Sequence, residues 1–132
     1  MIEDEGAVRR YYDAFQEGDV AAMLDCVTDD VVHNVNEGRT RVGRDRFAAF
    51  CRHMARCYRE ELRDLVILSG PPGRYAAEFT VHGTYLETDG DLPEARGQTY
   101  VLPAGTFLTA RDGQIGRITT YYNLSEWLRQ IG

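Results

Sequence analysis

Three histidines and three cysteines are the residues of this sequence best suited to proton transfer or metal binding: His33, His53, His82, Cys26, Cys51 and Cys57. No cysteines have the C-x-x-C spacing, the histidines lack metal-ligand spacing, and no H-E-x-x-H motif occurs, so the sequence predicts no metal site. Three cysteines are an odd number, which favours reduced thiols that pack as small apolar side chains in a cytosolic protein. His53 and Cys57 lie four residues apart and could form a Cys–His pair, although their place beside an apolar helical stripe favours packing.

His33 lies in the β-branched run Val31–Val35, whose composition is typical of a strand. Alternation along a strand puts Val31 and Val35 on the same face as His33. A histidine with an ordinary pKa of about 6.5 can act as a general base at neutral pH. Two interpretations stay open: a base that faces a pocket, or a hydrogen-bonded histidine of the core.

Two short amphipathic helices are predicted before this strand. The first carries apolar residues at i, i+3, i+4 and i+7, which share one face: Val8, Tyr11, Tyr12 and Phe15. Gly18 is expected to end that helix, because glycine adopts the left-handed conformation at little cost. Asp19 is expected to cap the second helix. That helix repeats the spacing with Val20, Met23, Leu24 and Val27.

A third helix is predicted after Gly43, with its apolar stripe formed by Phe47, Phe50, Cys51, Met54 and Tyr58. The opposite side is expected to be a solvated face, filled by Arg46, Arg52, Arg56, Arg59 and Glu60.

From Leu62 onward the sequence predicts consecutive strands, at 65–68, 75–88, 98–110 and 115–122. Pro103 and Gly105 suggest a bend or bulge in the third of these strands. Asp112 and Gly113 form a hairpin-turn signal, and Asn123 opens a capping-box spacing before a terminal turn of helix. Helices first and antiparallel strands later give an α+β class, with the helices on one face of a curved sheet.

Length and charge exclude several classes of protein. The 132 residues are expected to form one domain, 1–132. A net charge of −6 provides no basic surface for nucleic acid. No apolar run approaches the about 20 residues that a membrane-spanning helix needs. The acidic start MIEDEG is unlike a signal peptide, so we expect a cytoplasmic protein.

The run RYYDAFQEGDVAAMLDCVTDDVV, together with Gly43, the Phe79–Tyr85 strand and DGQIGRITTYYN, resembles the ketosteroid isomerase and SnoaL-like polyketide cyclase families of the nuclear transport factor 2-like superfamily. The resemblance extends over essentially the whole chain. It implies a cystatin-like cone in which three N-terminal helices pack on a curved antiparallel or mixed sheet. It also implies a homodimer formed through the outer face of the sheet.

Ketosteroid isomerase uses an aspartate base, with a tyrosine and a protonated aspartic acid as the oxyanion hole. By the resemblance, Tyr11 falls at the oxyanion tyrosine, the base falls at Val35, and the acid falls at about Gly105. Neither Val35 nor Gly105 can exchange a proton, so steroid isomerisation by that mechanism is not predicted. His33 and Tyr11 remain as a possible base and hydrogen-bond donor around a substrate carbonyl.

We expect these two residues to face an apolar pocket, in which Gly83 leaves a gap among larger side chains. The expected lining is Phe15, Val35, Phe50, Met54, Phe79, Val81, Gly83, Tyr85, Gly105, Phe107, Thr120 and Tyr122. One hypothesis is an isomerase- or cyclase-like enzyme that acts without a cofactor on a small apolar carbonyl compound. The alternatives are a module that binds a small hydrophobic molecule without turnover and a dimerisation domain with an incidental cavity.

Overall fold

The computed structural model describes residues 2–132. The helices are α1 (Ile2–Glu17), α2 (Val20–Asp25), α3 (Arg44–Cys57) and α4 (Leu124–Ile131). The strands are β1 (Val27–Val35), β2 (Arg41–Val42), β3 (Tyr58–Ser69), β4 (Arg74–Tyr85), β5 (Thr99–Arg111) and β6 (Gln114–Tyr122).

The six strands form one mixed sheet in the order β2-β1-β6-β5-β4-β3. Every neighbouring pair is antiparallel except β1 and β6, which run parallel, with Val35 opposite Thr120. The predicted α+β class is confirmed, since α1, α2 and α3 contact this sheet.

The end of α1 and the start of α2 lie where the sequence predicts. Gly18 has a φ of 69°, and the Asp19 carboxylate accepts a hydrogen bond from the Ala22 N–H at 3.0 Å. The second helix is shorter than its apolar stripe suggested, because Val27 already pairs with Ile115 of β6. β1 therefore starts before Val31, and an irregular register after Val27 leaves Asp29 exposed.

The boundary between α3 and β3 differs from the prediction. We expected Tyr58 on the helical stripe and Glu60 on its solvated side, but α3 ends at Cys57. Tyr58 has an extended backbone and pairs with Tyr85 of β4. The chain is thus a strand from Tyr58 onward, and Tyr58, Glu60 and Leu62 alternate toward the inside of the sheet.

The inward placement predicted for β4 is confirmed, since Phe79, Val81, Gly83 and Tyr85 are all buried. The prediction for β5 was wrong at Gly105 and Phe107. The buried residues of β5 include Tyr100, Leu102, Thr106 and Leu108, so the strand period of two turns Gly105 and Phe107 to the outer face.

Pro103 causes no bulge in β5. It pairs with Thr80 of β4, and the pairing with β6 begins only one residue later, at Ala104 opposite Tyr122. No backbone bond to β6 is needed at Pro103, so the missing N–H is tolerated there. The irregular register of β5 lies instead between Thr109 and Ala110.

Helix α4 is longer than the predicted single turn. Asn123 caps it by accepting a hydrogen bond from the Glu126 N–H at 3.1 Å. The Gln130 side chain binds both the N–H and the carbonyl of Val101, at 2.7 and 3.0 Å, and so fixes the helix to β5. Among residues 2–132, no helix has the length and apolar character needed to cross a membrane.

Candidate functional site

One end of the inner face of the sheet is less deeply buried than the rest. Most inward side chains are buried, but several at this end are only half-buried: Val35, Phe50, Met54, Glu60, Ala104, Thr120 and Tyr122. The strand register brings them together, since Val35 lies opposite Thr120 and Ala104 lies opposite Tyr122. Each of these side chains therefore keeps some solvent-accessible surface.

Glu60 places a carboxylate at that end. The Tyr100 hydroxyl donates a hydrogen bond to Glu60 Oε2 at 2.6 Å. Burial raises the pKa of Glu60, and the hydrogen bond from Tyr100 opposes this only in part. A carboxyl group in such surroundings can give or take a proton closer to neutral pH than a solvated one.

The missing side chain at Gly83 makes the hydrogen bond between Tyr100 and Glu60 possible. The gap that we expected at Gly83 is not present. Glu60 lies opposite Gly83, and Gly83 lies opposite Tyr100, so the three residues form one row across β3, β4 and β5. A Cβ atom at position 83 would come within 2.1 Å of Tyr100 Cζ. The ring of Tyr100 therefore occupies the space that was expected to be free, and it reaches Glu60 by lying over the glycine.

Further aromatic side chains pack around Tyr100, the residue that binds this carboxylate. Trp127 of α4 contacts the rings of Tyr58, Tyr100 and Tyr122, with centroid distances of 5.8, 6.1 and 6.2 Å. Burial, with the charge of Glu60 as a second cause, raises the pKa of Tyr122 to about 12. Tyr122 is therefore a neutral hydroxyl at physiological pH and can donate a hydrogen bond to an oxygen that gains negative charge.

His33 points inward and is only 3% exposed. Its ring packs against Phe47 and Phe50, with centroid distances of 4.9 and 4.6 Å. Its Nδ1 atom is buried and has no hydrogen-bond partner within residues 2–132. Burial, with nearby Arg41 as a second cause, lowers the pKa of His33 to about 4, so the imidazole is neutral at pH 7 and weakly basic.

Tyr11 shares a neighbour with His33. Its ring stacks on Phe47 at a centroid distance of 6.4 Å and meets Tyr12 edge-on at 5.2 Å. Burial raises the pKa of Tyr11, so its hydroxyl stays protonated. Both residues predicted from the sequence, His33 and Tyr11, therefore contact the Phe47 ring and belong to one aromatic cluster.

Residues 8–118 match the family model described as a SnoaL-like domain. The chain belongs to the SnoaL-like domain family. A proposed polyketide cyclase from Silicibacter sp. TM1040 is 57% identical, with a TM-score of 0.93 over 97% of this chain and 94% of that chain. A second one, from Pseudomonas putida KT2440, is 50% identical, with a TM-score of 0.92 over 96% of each chain.

A more distant structure shows the fold alone. An NTF2-like protein from Burkholderia xenovorans LB400 is 16% identical, with a TM-score of 0.79 over 98% of this chain and 96% of that chain. The cone fold of the nuclear transport factor 2-like superfamily, which the sequence resemblance implied, is thereby confirmed. No functionally curated protein matches this SnoaL-like chain.

The remaining residues predicted to line a pocket fall into three groups. Phe15, Val35, Phe50, Met54, Thr120 and Tyr122 are half-buried. Phe79, Val81 and Tyr85 are buried, and the Tyr85 hydroxyl is engaged, since it donates to the Pro93 carbonyl at 2.7 Å and accepts from the Asp89 N–H at 2.9 Å. Gly105 and Phe107 lie on the outer face, away from the interior of this SnoaL-like domain.

Two surface clefts lie apart from this interior. One has a volume of about 240 Å³ and is lined by Leu68, Ser69, Gly70, Arg74, Tyr75, Ala76, Phe107 and Leu108. The other has a volume of about 420 Å³ and is lined by Asp29, Val42, Gly43, Arg44, Asp45 and Arg46. Phe107 is the one predicted lining residue that borders either cleft, and neither reaches Glu60 or His33.

Sequence reasoning missed Glu60, the inward carboxyl group of the SnoaL-like domain. Its position next to a helical stripe suggested a solvated residue. The signal that could have found it is the alternation of Tyr58, Glu60 and Leu62, which has the period of a strand and places Glu60 between two apolar neighbours on one face.

Proposed function

We propose that this protein is a cofactor-independent enzyme that moves a proton on a small apolar carbonyl compound, with Glu60 as the proton-carrying group. The observation that carries the proposal is the inward Glu60 carboxyl group, with a raised pKa and a hydrogen bond from Tyr100. The similarity to two proposed polyketide cyclases supports the choice of substrate, because polyketides are rich in carbonyl groups.

The chemistry needs only groups of this chain. The Glu60 carboxylate removes a proton from the carbon next to a carbonyl, and the electron pair moves onto the carbonyl oxygen as an enolate. A neutral donor such as the Tyr122 hydroxyl stabilises that oxygen. In a cyclase, the enolate carbon then attacks a second carbonyl of the same molecule, and the alkoxide that forms there takes the proton from Glu60. In an isomerase, whose substrate has a carbon–carbon double bond next to the acidic carbon, the dienolate takes the proton from Glu60 at its far carbon. Either path returns Glu60 to its starting form.

His33 and Tyr11 have a supporting part in this proposal. A pKa of about 4 makes His33 a weak base, but its buried Nδ1 can accept a hydrogen bond from a substrate hydroxyl. The protonated Tyr11 can donate one to a substrate oxygen. The sequence-based hypothesis that His33 itself takes the proton stays a prediction, and the same experiment tests it.

The test begins with a thermal-shift screen of carbonyl compounds, because a ligand of the folded state raises apparent stability. Glu60→Gln keeps an acceptor for Tyr100 but cannot take up a proton. We expect it to bind the selected compound normally and to lose about 10²–10⁴-fold in kcat. Glu61→Gln is the matched control, since this neighbour is exposed on the outer face.

The other outcomes of this experiment are equally distinct. Full turnover in Glu60→Gln, together with its loss in His33→Gln, makes His33 the base and overturns the role of Glu60. Binding with no turnover by the unmodified protein favours the non-catalytic ligand-binding module. That alternative has its own support, because the half-buried Val35, which by the resemblance stands at the place of the ketosteroid isomerase base, cannot take a proton.

The assembly and location of the enzyme also belong to this proposal. Apolar side chains that are about half-exposed gather on the outer face of the sheet: Val66, Leu68, Val101, Phe107 and Tyr121. Their contact with a second copy of the chain would remove this apolar surface from water, which supports a homodimer. Three free and buried cysteines support a reducing compartment, the cytoplasm.

A further inference from the structure

A histidine, a cysteine and an aspartate meet where α3 ends. His53 Nε2, Cys57 Sγ and a carboxylate oxygen of Asp89 all lie within 4.8 Å of one another. His53 and Cys57 are one helical turn apart, and Asp89 comes from the connection between β4 and β5. We propose that these three residues form a binding site for a divalent cation with the preferences of Zn²⁺.

The ligand types and distances fit this ion. Zn²⁺ is bound in proteins by thiolate, imidazole and carboxylate ligands in tetrahedral geometry. The Zn–S and Zn–N bond lengths usual in proteins place sulfur and nitrogen about 3.6 Å apart in a tetrahedron. In this structure Cys57 Sγ is 4.0 Å from His53 Nε2, and His53 Nε2 is 2.8 Å from Asp89 Oδ1. Shifts of about half an ångström would bring these two pairs to tetrahedral spacing, and the Cys57 sulfur, which lies within 4.8 Å of the Asp89 carboxylate, would move toward it as the ion binds.

The surroundings hold the carboxylate ligand in place. The Tyr58 hydroxyl donates to Asp89 Oδ2 at 2.7 Å, so the other oxygen, Oδ1, is the one turned to His53. The Asp89 N–H donates to the Tyr85 hydroxyl at 2.9 Å, which fixes the backbone of the connection. Such outer contacts to a ligand are a common feature of metal sites.

Burial and charge also suit a cation. Cys57 is 1% exposed, whereas His53 and Asp89 are half-buried, so one side of the cluster stays open to water as a fourth ligand. The carboxylate of Asp89 and the thiolate that forms on binding together balance a charge of +2. The proton of the Cys57 thiol leaves for solvent when the ion binds.

Arg56 is the neighbouring group that opposes binding. Its Nη2 donates to His53 Nδ1 at 3.0 Å, so in the metal-free form His53 carries its proton on Nε2 and donates it to Asp89. When a cation binds Nε2, the imidazole proton must move to Nδ1. The Nδ1–H group would then face the N–H group of Arg56, and the two donors would repel each other. The Arg56 side chain is 58% exposed and lies 3.5 Å from Glu87, so it can move away to that partner.

Cobalt is the probe that reports the ligands directly. The whole protein, freed of any polyhistidine tag and kept reduced, is titrated with Co²⁺. We expect a near-ultraviolet thiolate-to-cobalt charge-transfer band, visible bands of tetrahedral cobalt, and displacement of both by Zn²⁺. Cys57→Ala should abolish the charge-transfer band, whereas Cys51→Ala, which removes another buried cysteine, should retain it. Absence of the band in the unmodified protein would overturn the proposal.

Four further variants distinguish cobalt bound by all three proposed ligands from cobalt bound by a cysteine alone. They also test the proposal if the Cys57→Ala variant does not fold. His53→Gln and Asp89→Asn should weaken cobalt binding, and Tyr58→Phe should weaken it about tenfold through the lost contact to Asp89. Arg56→Gln should tighten it, which a role of Arg56 in the fold alone would not predict. Equal affinity in His53→Gln and the unmodified protein would show that the band arises elsewhere.

Discussion

The Tyr100 ring lies across Gly83, and this arrangement brings the Tyr100 hydroxyl to 2.6 Å from the Glu60 carboxylate. The three residues are opposite one another on adjacent strands. The absence of a side chain at the central position is therefore what allows a phenol and a carboxyl group, two strands apart, to form a hydrogen bond.

The first prediction concerns Gly83→Ala. A methyl group there would overlap the Tyr100 ring, so we expect a loss of about 1–3 kcal/mol in the free energy of unfolding. The displaced ring should also lose its hydrogen bond to Glu60, so we expect Gly83→Ala and Tyr100→Phe to lower turnover to a similar extent. Urea denaturation and the assay found by the carbonyl screen measure the two effects. Gly105→Ala is the control, because the nearest atom to its Cβ would be 3.7 Å away. Equal stability of the two variants would contradict the close contact.

The second prediction concerns the pH dependence of stability at Glu60. Burial raises the pKa of this carboxyl group in the folded state, so its protonated form favours folding. That contribution is complete below the unfolded pKa of about 4.3 and is lost as pH rises through the folded value. The stability of Glu60→Gln relative to the unmodified protein should therefore increase with rising pH. Urea unfolding across a pH series measures this difference, and a decrease would contradict the burial of the carboxyl group.

The third prediction concerns acid sensitivity from His33. The pKa of His33 falls to about 4 in the folded state, so its neutral form favours folding. This contribution is present above the unfolded pKa of about 6.5 and is lost as pH falls toward 4, a change of about 3 kcal/mol. His33→Phe should lose less stability than the unmodified protein between pH 7 and 4. His82→Gln, on the outer face, should keep the full loss, and equal losses in all three proteins would refute the prediction.

The fourth prediction concerns assembly. Phe107 is 49% exposed and contacts Tyr121 with a centroid distance of 6.1 Å, on the outer face that we propose to form the homodimer. Phe107→Glu should convert the dimer to a monomer, as measured by light scattering after size exclusion. Leu124→Glu, at an exposed apolar residue of α4, should stay dimeric. A monomeric unmodified protein at high concentration would rule out the dimer.

Much of the fold could be predicted from the sequence, because helix ends, turns and strand alternation depend mainly on residues close together in the chain. Gly18 and Asp19 mark a helix boundary through their own backbone and side-chain preferences, and both act as expected. Asp112 and Gly113, each with positive φ, form the predicted hairpin turn. Alternation alone placed Phe79 and Tyr85 inside.

The functional side chains were harder to predict because their neighbours come from distant parts of the chain. The inward position of His33 follows from strand alternation, but its low pKa depends on burial, to which the packed rings of Phe47 and Phe50 belong, and on the charge of Arg41. Glu60 was misplaced because Met54 and Tyr58 fit a helical period equally well. The contact of His53 with Asp89 joins residues that no motif spacing relates.

The strand period alone could not show which face of β5 points to the interior. Phe107 was assigned to the interior together with Gly105, yet its neighbours Thr106 and Leu108 take the inner positions. The polar residue at 106 is accommodated inside by a contact between its hydroxyl and that of Thr120, at 3.2 Å. Knowledge of that partner was needed to choose the correct face.

The parallel pairing of β1 with β6 has a consequence for synthesis on the ribosome. Val35 finds its partner Thr120 only after every other strand has been made, so β1 and β2 cannot join the sheet during early elongation. Closing so long a segment is entropically costly and slows folding. The His33 side of the interior should therefore be the last part of the nascent protein to become protected from proteases and solvent exchange.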